Sequence, residues 1–215
     1  MLPERIGVDP RNFIPDVTGV ILAGGKSTRM GTRKAALPVD GVPLIQRTAA
    51  TFRGLFSANL IVVNEPSLHA DIGFPTVVDE QPGCGPLVGI CSALRVTGGN
   101  AAFCVACDMP FLSRPLIRYL CSVSGGHDAV VPVSSNGFEP LHALYRPGCL
   151  PVIEARIAAG RLSLHGMLRD LDVRYVDEAE WLAQGDHALS FFNCNTPHEY
   201  ELCKGLTSGA DRIAC

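Results

Sequence analysis

Residues 101–107, Ala-Ala-Phe-Cys-Val-Ala-Cys, contain no polar side chain, and the run stops at Asp108-Met109-Pro110. A strand with one wet face alternates polar and apolar residues, so a strand without alternation must be covered on both faces. Residues 17–23 and 60–63 are further short apolar runs, and 76–78 is a briefer one. Between them, Leu44, Ile45, Thr48, Ala49, Phe52, Leu55 and Phe56 recur at helical spacing. More helices are expected at residues 86–96, where Pro86 suits a first turn, and at 114–122, 151–159, 164–171 and 197–206. Segments 128–133 and 139–145 flank Ser134-Ser135-Asn136-Gly137, whose Asn-Gly favours a hairpin-like return. Short extended pieces are expected at 174–176 and 191–195. Doubly covered strands alternating with helices predict a three-layer α/β/α sandwich with a mainly parallel sheet, mixed at one edge by the hairpin.

The chain has 215 residues, of which 47% are hydrophobic and 18% charged, enough to bury one substantial core. The simplest division is a polar leader over residues 1–16, a single domain over 17–206 and a tail over 207–215. The net charge of −3, with no basic block, argues against a nucleic-acid partner but leaves room for a local cation cluster and a small anion. No apolar run approaches the ~20 residues that span a bilayer. The opening Met1-Leu2-Pro3-Glu4-Arg5 has no basic stretch followed by an apolar one. The nine cysteines sit in apolar stretches rather than at framework spacings. Together these features lead us to expect a cytoplasmic protein whose thiols are small buried hydrophobes.

Directly after the first run comes Gly24-Gly25, followed by Lys26, Arg29, Arg33 and Lys34. Glycines after a strand let backbone N–H groups approach phosphate oxygens, because no Cβ intervenes. A Walker loop needs glycine at position 20, which is Val20, and adjacent Gly24 and Gly25 break the dinucleotide pattern G-x-G-x-x-G. What remains is a glycine turn with four cations in nine residues. Such a cluster matches the roughly four negative charges of a nucleoside triphosphate. Taken as a generic Gly-Gly turn, it reads first as a turn with a solvated basic edge.

The string Leu22-Ala23-Gly24-Gly25-Lys26-Ser27-Thr28-Arg29-Met30-Gly31-Thr32-Arg33-Lys34 resembles the signature loop of nucleotidyltransferases of the nucleotide-diphospho-sugar transferase fold. More narrowly, the chain resembles molybdenum cofactor guanylyltransferases. Four further stretches, in family order, carry that likeness: Gly85-Pro86-Leu87-Val88-Gly89, Cys107-Asp108-Met109-Pro110-Phe111-Leu112, Pro140-Leu141-His142-Ala143-Leu144-Tyr145 and Asn193-Cys194-Asn195-Thr196-Pro197. The likeness spans about residues 17–206.

The resemblance implies that Leu22, Ala23, Gly24 and Gly25 shape the nucleotide pocket, and that Lys34, with Arg29, contacts the phosphates. Where the family often has Asp before that lysine, this chain has Arg33, so a contact made by that Asp does not carry over. Asn64 and Asp79 would meet the guanine and ribose side, their alternative being simple turn capping. Asp108 closes the most apolar strand, where a carboxylate is costly unless it meets a cation or donors. The family places a metal aspartate there, so Asp108 is the expected Mg²⁺ ligand; capping of the following helix is the alternative. A second oxygen ligand is expected from Asn193 or Asn195, with Asn195 favoured, unless these residues cap the helix near Pro197. His142, in an apolar strand, reads first as a structural residue, and the surface around it, Arg161 and Ser163 are possible acceptor contacts. Cys104 and Cys107 have the C-x-x-C spacing, but no second pair or neighbouring histidine completes a zinc site.

The reaction implied is transfer of GMP from GTP to molybdopterin, releasing pyrophosphate, with Lys34, Asp108 and Arg29 as the catalytic set. GTP and molybdopterin would be the bound partners, with molybdoenzymes or cofactor-delivery proteins around them, and neither nucleic acid nor membrane. Two other readings compete: a cytidylyltransferase of the same fold, and a non-catalytic nucleotide-binding or cofactor-delivery protein.

Overall fold

The computed structural model describes residues 14–24, 34–65, 69, 71–79, 81 and 83–210, excluding the side chains of Lys34 and of residues 207–210. In chain order the elements are β1 (Ile14–Leu22), β2 (Pro38–Val39), β3 (Val42–Pro43), α1 (Leu44–Phe52), β4 (Phe56–Val63), β5 (Thr76–Val78), α2 (Pro86–Val96), β6 (Ala101–Ala106), α3 (Arg114–Ser122), β7 (Ala129–Ser134), β8 (Gly137–Phe138), β9 (His142–Tyr145), α4 (Leu150–Ala158), α5 (Leu164–Leu168), β10 (Val173–Val176), α6 (Glu178–Leu182) and α7 (Pro197–Ala210). Short 3₁₀ turns lie at Lys34–Ala36, Pro147–Cys149 and Ala188–Phe191.

The main sheet runs β10-β7-β9-β6-β1-β4-β5, with β8 folded back on β7. The pairs β1–β4, β1–β6, β4–β5 and β7–β10 are parallel, whereas β9 is antiparallel to both β6 and β7. The mixed pairing therefore lies inside the sheet and not at its edge. The reason is the hairpin itself: Val133 pairs with Phe138 across the Ser135-Asn136 turn, and the returning chain continues as β9 between its own partner and β6.

Alternation along each central strand sends side chains to two separate cores. Ile21, Ile61, Val63, Phe103, Val105 and Val130 meet Ile45, Ala49 and Phe52 of α1 and Leu116, Ile117 and Leu120 of α3. Val20, Leu22, Leu60, Val62, Ala102, Cys104 and Val131 meet Leu87, Ile90, Cys91 and Leu94 of α2 and Ile153 of α4. This arrangement is the expected α/β/α sandwich. Two glycines set its spacing. A Cβ at Gly19 would come within 2.5 Å of the Asn59 Oδ1 and Phe56 Cδ2 atoms, and one at Gly89 within 3.2 Å of Leu22 Cδ2. Gly89 thus lets α2 lie close over β1, which is a structural reason for the Gly85–Gly89 motif.

Several boundaries differ from the sequence reading. Helix α1 stops at Phe52, so Leu55 and Phe56 belong to the turn and to β4: the helical spacing runs on by coincidence because both residues are core-facing. Residues 192–195 join no strand and run as an irregular link, while α7 extends past residue 206 and β1 begins at Ile14. The β2–β3 hairpin and α6 are too short to leave a periodic signal. Helix α7 docks through Cys203 beside Cys194, Val39 and Leu44, and the Tyr200 hydroxyl donates to the Pro38 carbonyl. Among the described residues no helix is long and apolar enough to cross a membrane.

Candidate active site

The parallel strands β6, β1, β4 and β5 end along one edge of the sheet, where α1 lies on one face and α2 on the other. Open α/β sheets bind ligands at such a carboxyl edge, where the helices switch face. The backbone ladder continues past the strand ends and fixes the residues that follow. Ala23 N–H donates to the Val62 carbonyl at 2.8 Å, Asp79 N–H to Val63 at 2.9 Å and Cys107 N–H to Leu22 at 3.2 Å.

This register brings Gly24, Asn64 and Asp79 together. A Cβ on Gly24 would lie 2.7 Å from Asn64 Oδ1 and 3.8 Å from Asp79 Oδ2, so glycine is what leaves the space above this backbone open. Asn64 Oδ1 is buried and has no hydrogen-bond partner, an expensive state for an amide oxygen unless a ligand supplies the donor. Turn capping therefore does not account for Asn64. It accounts for Asp79 in part: Oδ1 accepts from Gln81 N–H at 3.0 Å, and the residue is 5% exposed.

Asp108 is buried at the end of β6, one strand away from Gly24. It does not cap the next helix, because Ser113 does: its Oγ accepts from Leu116 N–H. The turn after Asp108 is pinned by Thr48 Oγ1, which donates to the Met109 carbonyl at 3.3 Å. On the other side, Cys194 N–H donates to the Asp108 carbonyl at 3.0 Å, which brings the 193–195 link to this strand end. Asn193 Nδ2 is committed to the Phe191 carbonyl. Neither asparagine caps α7; that task falls to Thr196 and Glu199 in a reciprocal capping box, with Thr196 Oγ1 accepting from Glu199 N–H and Glu199 Oε2 from Thr196 N–H. Asn195, exposed and next in the chain to Cys194, is therefore not needed as a cap.

Gly25 and Arg29 lie outside the described residues, as do Lys26, Arg33 and the Lys34 side chain. The Lys34 backbone begins the 3₁₀ turn that leads into β2. Leu22 and Ala23 form the end of β1 under this site, and Leu22 packs on α2.

His142 is a core residue. It is fully buried between Phe103 and Phe191, and its Nε2 lies 2.8 Å from Ser190 Oγ, which also accepts from Ser113 N–H. Burial pulls its pKa down to about 4, so the ring is neutral near pH 7. It does not face an acceptor. Cys104 and Cys107 point into opposite cores, and burial pushes the Cys104 thiol well up, as expected of an inert buried thiol. Among the described residues no group of three or more His, Cys, Asp or Glu side chains is placed to hold a metal. A groove of about 540 Å³ lined by Asp16, Asn100, Arg118 and Arg146 lies at the opposite edge, at the starts of β1 and β6.

Sequence reasoning missed Ser190, which secures His142, and Ser134 with Glu139, hydrogen-bonded at 2.6 Å beside the hairpin tip. Ser190 lies in a short 3₁₀ turn and leaves no pattern. The Ser134–Glu139 pair is set by the hairpin register, since both residues flank the short turn that β8 closes on β7.

An open glycine turn, a partnerless amide oxygen and a buried aspartate thus gather at the carboxyl edge where open α/β sheets bind ligands. The MobA-like NTP transferase domain matches residues 19–177, and the chain belongs to that family. It is a nucleotidyltransferase. The molybdenum cofactor guanylyltransferase of Desulfosudis oleivorans is 37% identical over 187 residues, which cover 86% of this chain and 93% of that protein. The crystal structure of molybdopterin-guanine dinucleotide biosynthesis protein A from Archaeoglobus fulgidus aligns with a TM-score of 0.79 at 25% identity, covering 89% of this chain and 99% of that one. The 2-C-methyl-D-erythritol 4-phosphate cytidylyltransferase of Thermus thermophilus aligns with a TM-score of 0.64 at 16% identity, over 88% and 98% of the two chains. That likeness shows the fold alone, so the fold does not choose the base.

Proposed function

We propose that this protein transfers GMP from GTP to molybdopterin in the cytoplasm, forming the guanine dinucleotide and releasing pyrophosphate. The observation that carries the choice of base is the pair of acceptors beside Gly24. Guanine presents N1–H and an N2 amino group on one edge, and the Asn64 amide oxygen and the neighbouring Asp79 carboxylate are acceptors suited to such donors. Cytosine presents a single amino donor beside two acceptors and would leave like groups opposed. The relative named for guanylyl transfer supports the same reading.

In this reading Leu22, Ala23, Gly24 and Gly25 shape the nucleotide cradle, and Lys34 and Arg29 neutralise the triphosphate. Asp108 with Asn195 would hold Mg²⁺. These are hard oxygen donors, few in number, as suits a cation that shares its coordination with substrate phosphates. Bound there, the ion would supply charge neutralisation at the phosphates. The attacking group is the acceptor's phosphate oxygen. It forms a bond to the α-phosphorus as the bond from that phosphorus to the bridging oxygen of pyrophosphate breaks. A phosphate monoester with a second pKa near ~6 is already largely ionised at neutral pH, so no strong general base is needed. Rate then comes from alignment and fixed positive charge.

Titration of the protein with GTP and with CTP tests the base assignment directly. We expect GTP to bind at least about tenfold more tightly, the equivalent of ~1.4 kcal/mol. Equal affinities, or tighter CTP, would remove the case for guanine and favour the cytidylyl alternative.

A further inference from the structure

In-line displacement places the attacking oxygen opposite the leaving pyrophosphate. With the nucleotide over the ends of β1, β4 and β5 and its α-phosphate toward Asp108, the acceptor must enter over the rest of that edge. The remaining strands are β9, β7 and β10. At ~4.8 Å per strand they extend the edge by on the order of 15 Å beyond β6. The edge is continuous with the site, since Ala106 N–H donates to the Leu141 carbonyl at 3.2 Å just before Asp108.

That stretch carries an unusual set of side chains. Phe138, at the tip of the β7–β8 hairpin, is 41% exposed. One face of its ring rests on Tyr175 of β10, with centroids 4.7 Å apart, and His165 at the start of α5 flanks it at 6.2 Å. The pairing of Val133 with Phe138 would be met by any strand-forming residue, so the exposed ring is not explained by the hairpin. Next to it, the Glu139 carboxylate is half-buried and accepts from Ser134 Oγ at 2.6 Å. Burial raises its pKa, with Ser134 and His165 pulling it back, so the carboxyl is held in a dry setting where a donor partner is worth most.

We propose that Phe138, backed by Tyr175, and the carboxylate of Glu139 form the acceptor subsite: the ring stacks on the planar aminopyrimidinone of a pterin, and Glu139 accepts from its amino and ring N–H. A planar heterocycle on an exposed aromatic face gains stacking energy without displacing core contacts. The amino–amide edge of such a ring offers two adjacent donors, which two carboxylate oxygens match. The 159–163 turn leads into α5, where Ser163 Oγ accepts from Gly166 N–H as the helix cap, two residues before the His165 that flanks Phe138. This assignment rests on the guanylyl-transfer reading for the identity of the acceptor and for the side from which it enters.

The test separates the two. With GTP and molybdopterin, Phe138→Ala and Phe138→Leu are expected to raise the acceptor KM about tenfold. The value of kcat should stay within about twofold and GTP affinity should be unchanged, as for a lost uniform binding contact. Phe138→Leu keeps apolar packing on Tyr175, so an equal loss in both variants points to stacking. Glu139→Gln should act in the same direction, since its amide turns a donor toward the pterin's donors. Independently of turnover, quenching of 6-methylpterin fluorescence by wild-type protein should be lost in Phe138→Ala. An unchanged acceptor KM in the Phe138 and Glu139 variants overturns the subsite while leaving the transferase reading intact. If wild-type protein forms no guanylylated product, the transferase reading fails and the pterin titration alone decides the subsite: quenching lost in Phe138→Ala supports it, and quenching absent or unaltered overturns it.

Discussion

Gly24 is a residue whose missing atom matters. The space its Cβ would occupy is 2.7 Å from Asn64 Oδ1, closer than real Cβ contacts allow, and in the proposed function it is space the nucleotide needs. Gly24→Ala is therefore expected to weaken GTP binding at least about tenfold, measured by calorimetric titration. Its thermal unfolding should shift little, because the clash is with the far end of the Asn64 side chain, which can turn aside, and Gly24 itself is exposed and outside the core clusters. Unaltered GTP affinity in a folded Gly24→Ala protein would show that the nucleotide does not pass over this turn. The sequence discloses Gly24 through its place after a strand, and Asp108 through its place at the end of an apolar one. It does not disclose that Asn64 Oδ1 lacks a partner, because that depends on which atoms β1 and β5 bring alongside. His142 is legible as structural for a similar reason in reverse: a histidine in an apolar strand has nowhere to go but the core.

Among the elements, α7 does the least for the sheet and the most for the link beside Asp108. Its first turn is closed by the Thr196–Glu199 box, and Glu199 Oε2 also accepts from Asn195 N–H at 2.8 Å. The box thus fixes the backbone of the proposed metal-side asparagine. Thr196→Ala should cost about 1 kcal/mol of stability, read by urea unfolding, and should lower kcat more than GTP affinity because Asn195 is loosened. If kcat is unchanged while stability falls, the box is merely a helix cap. The bounds of the helices at Pro86–Val96 and Arg114–Ser122 are legible, the first because Pro86 sits in its first turn, but the cap of the second is Ser113 and not Asp108. The placement of β9 is not legible. An Asn-Gly turn announces a hairpin, but only the competition between β6 and β7 for the same partner decides whether the returning strand lies at the edge or inside.

For the molecule as a whole, His142 links the core to pH. Its folded pKa of about 4 lies below the ordinary value of 6.5, so the unfolded chain binds a proton that the folded chain refuses. Stability from this group is complete above about pH 6.5 and declines as pH falls toward 4, by up to about 3 kcal/mol. Chemical denaturation of wild type and of His142→Gln across that interval should show the slope in the wild type and its reduction in the variant. Parallel slopes would mean that the ring is already charged in the fold. The two cores that bury His142 and its neighbours follow from the apolar strands alone, which is why the layered architecture is legible in the sequence. The proposed base and acceptor ends are not, because residues 24, 64, 79, 108 and 138–139 are far apart in the chain and only the sheet order brings them to one edge.

The most direct measurement is the mass of the product formed from GTP, Mg²⁺ and molybdopterin, alongside pyrophosphate release, for wild type and Asp108→Ala. We expect the acceptor to gain one GMP per pyrophosphate released, CTP to support little or no transfer, and Asp108→Ala to fold normally while losing turnover by at least about 10²–10³-fold, the scale of a lost electrostatic stabiliser. Pyrophosphate release without guanylylated acceptor, or near-normal turnover in Asp108→Ala, would contradict the account.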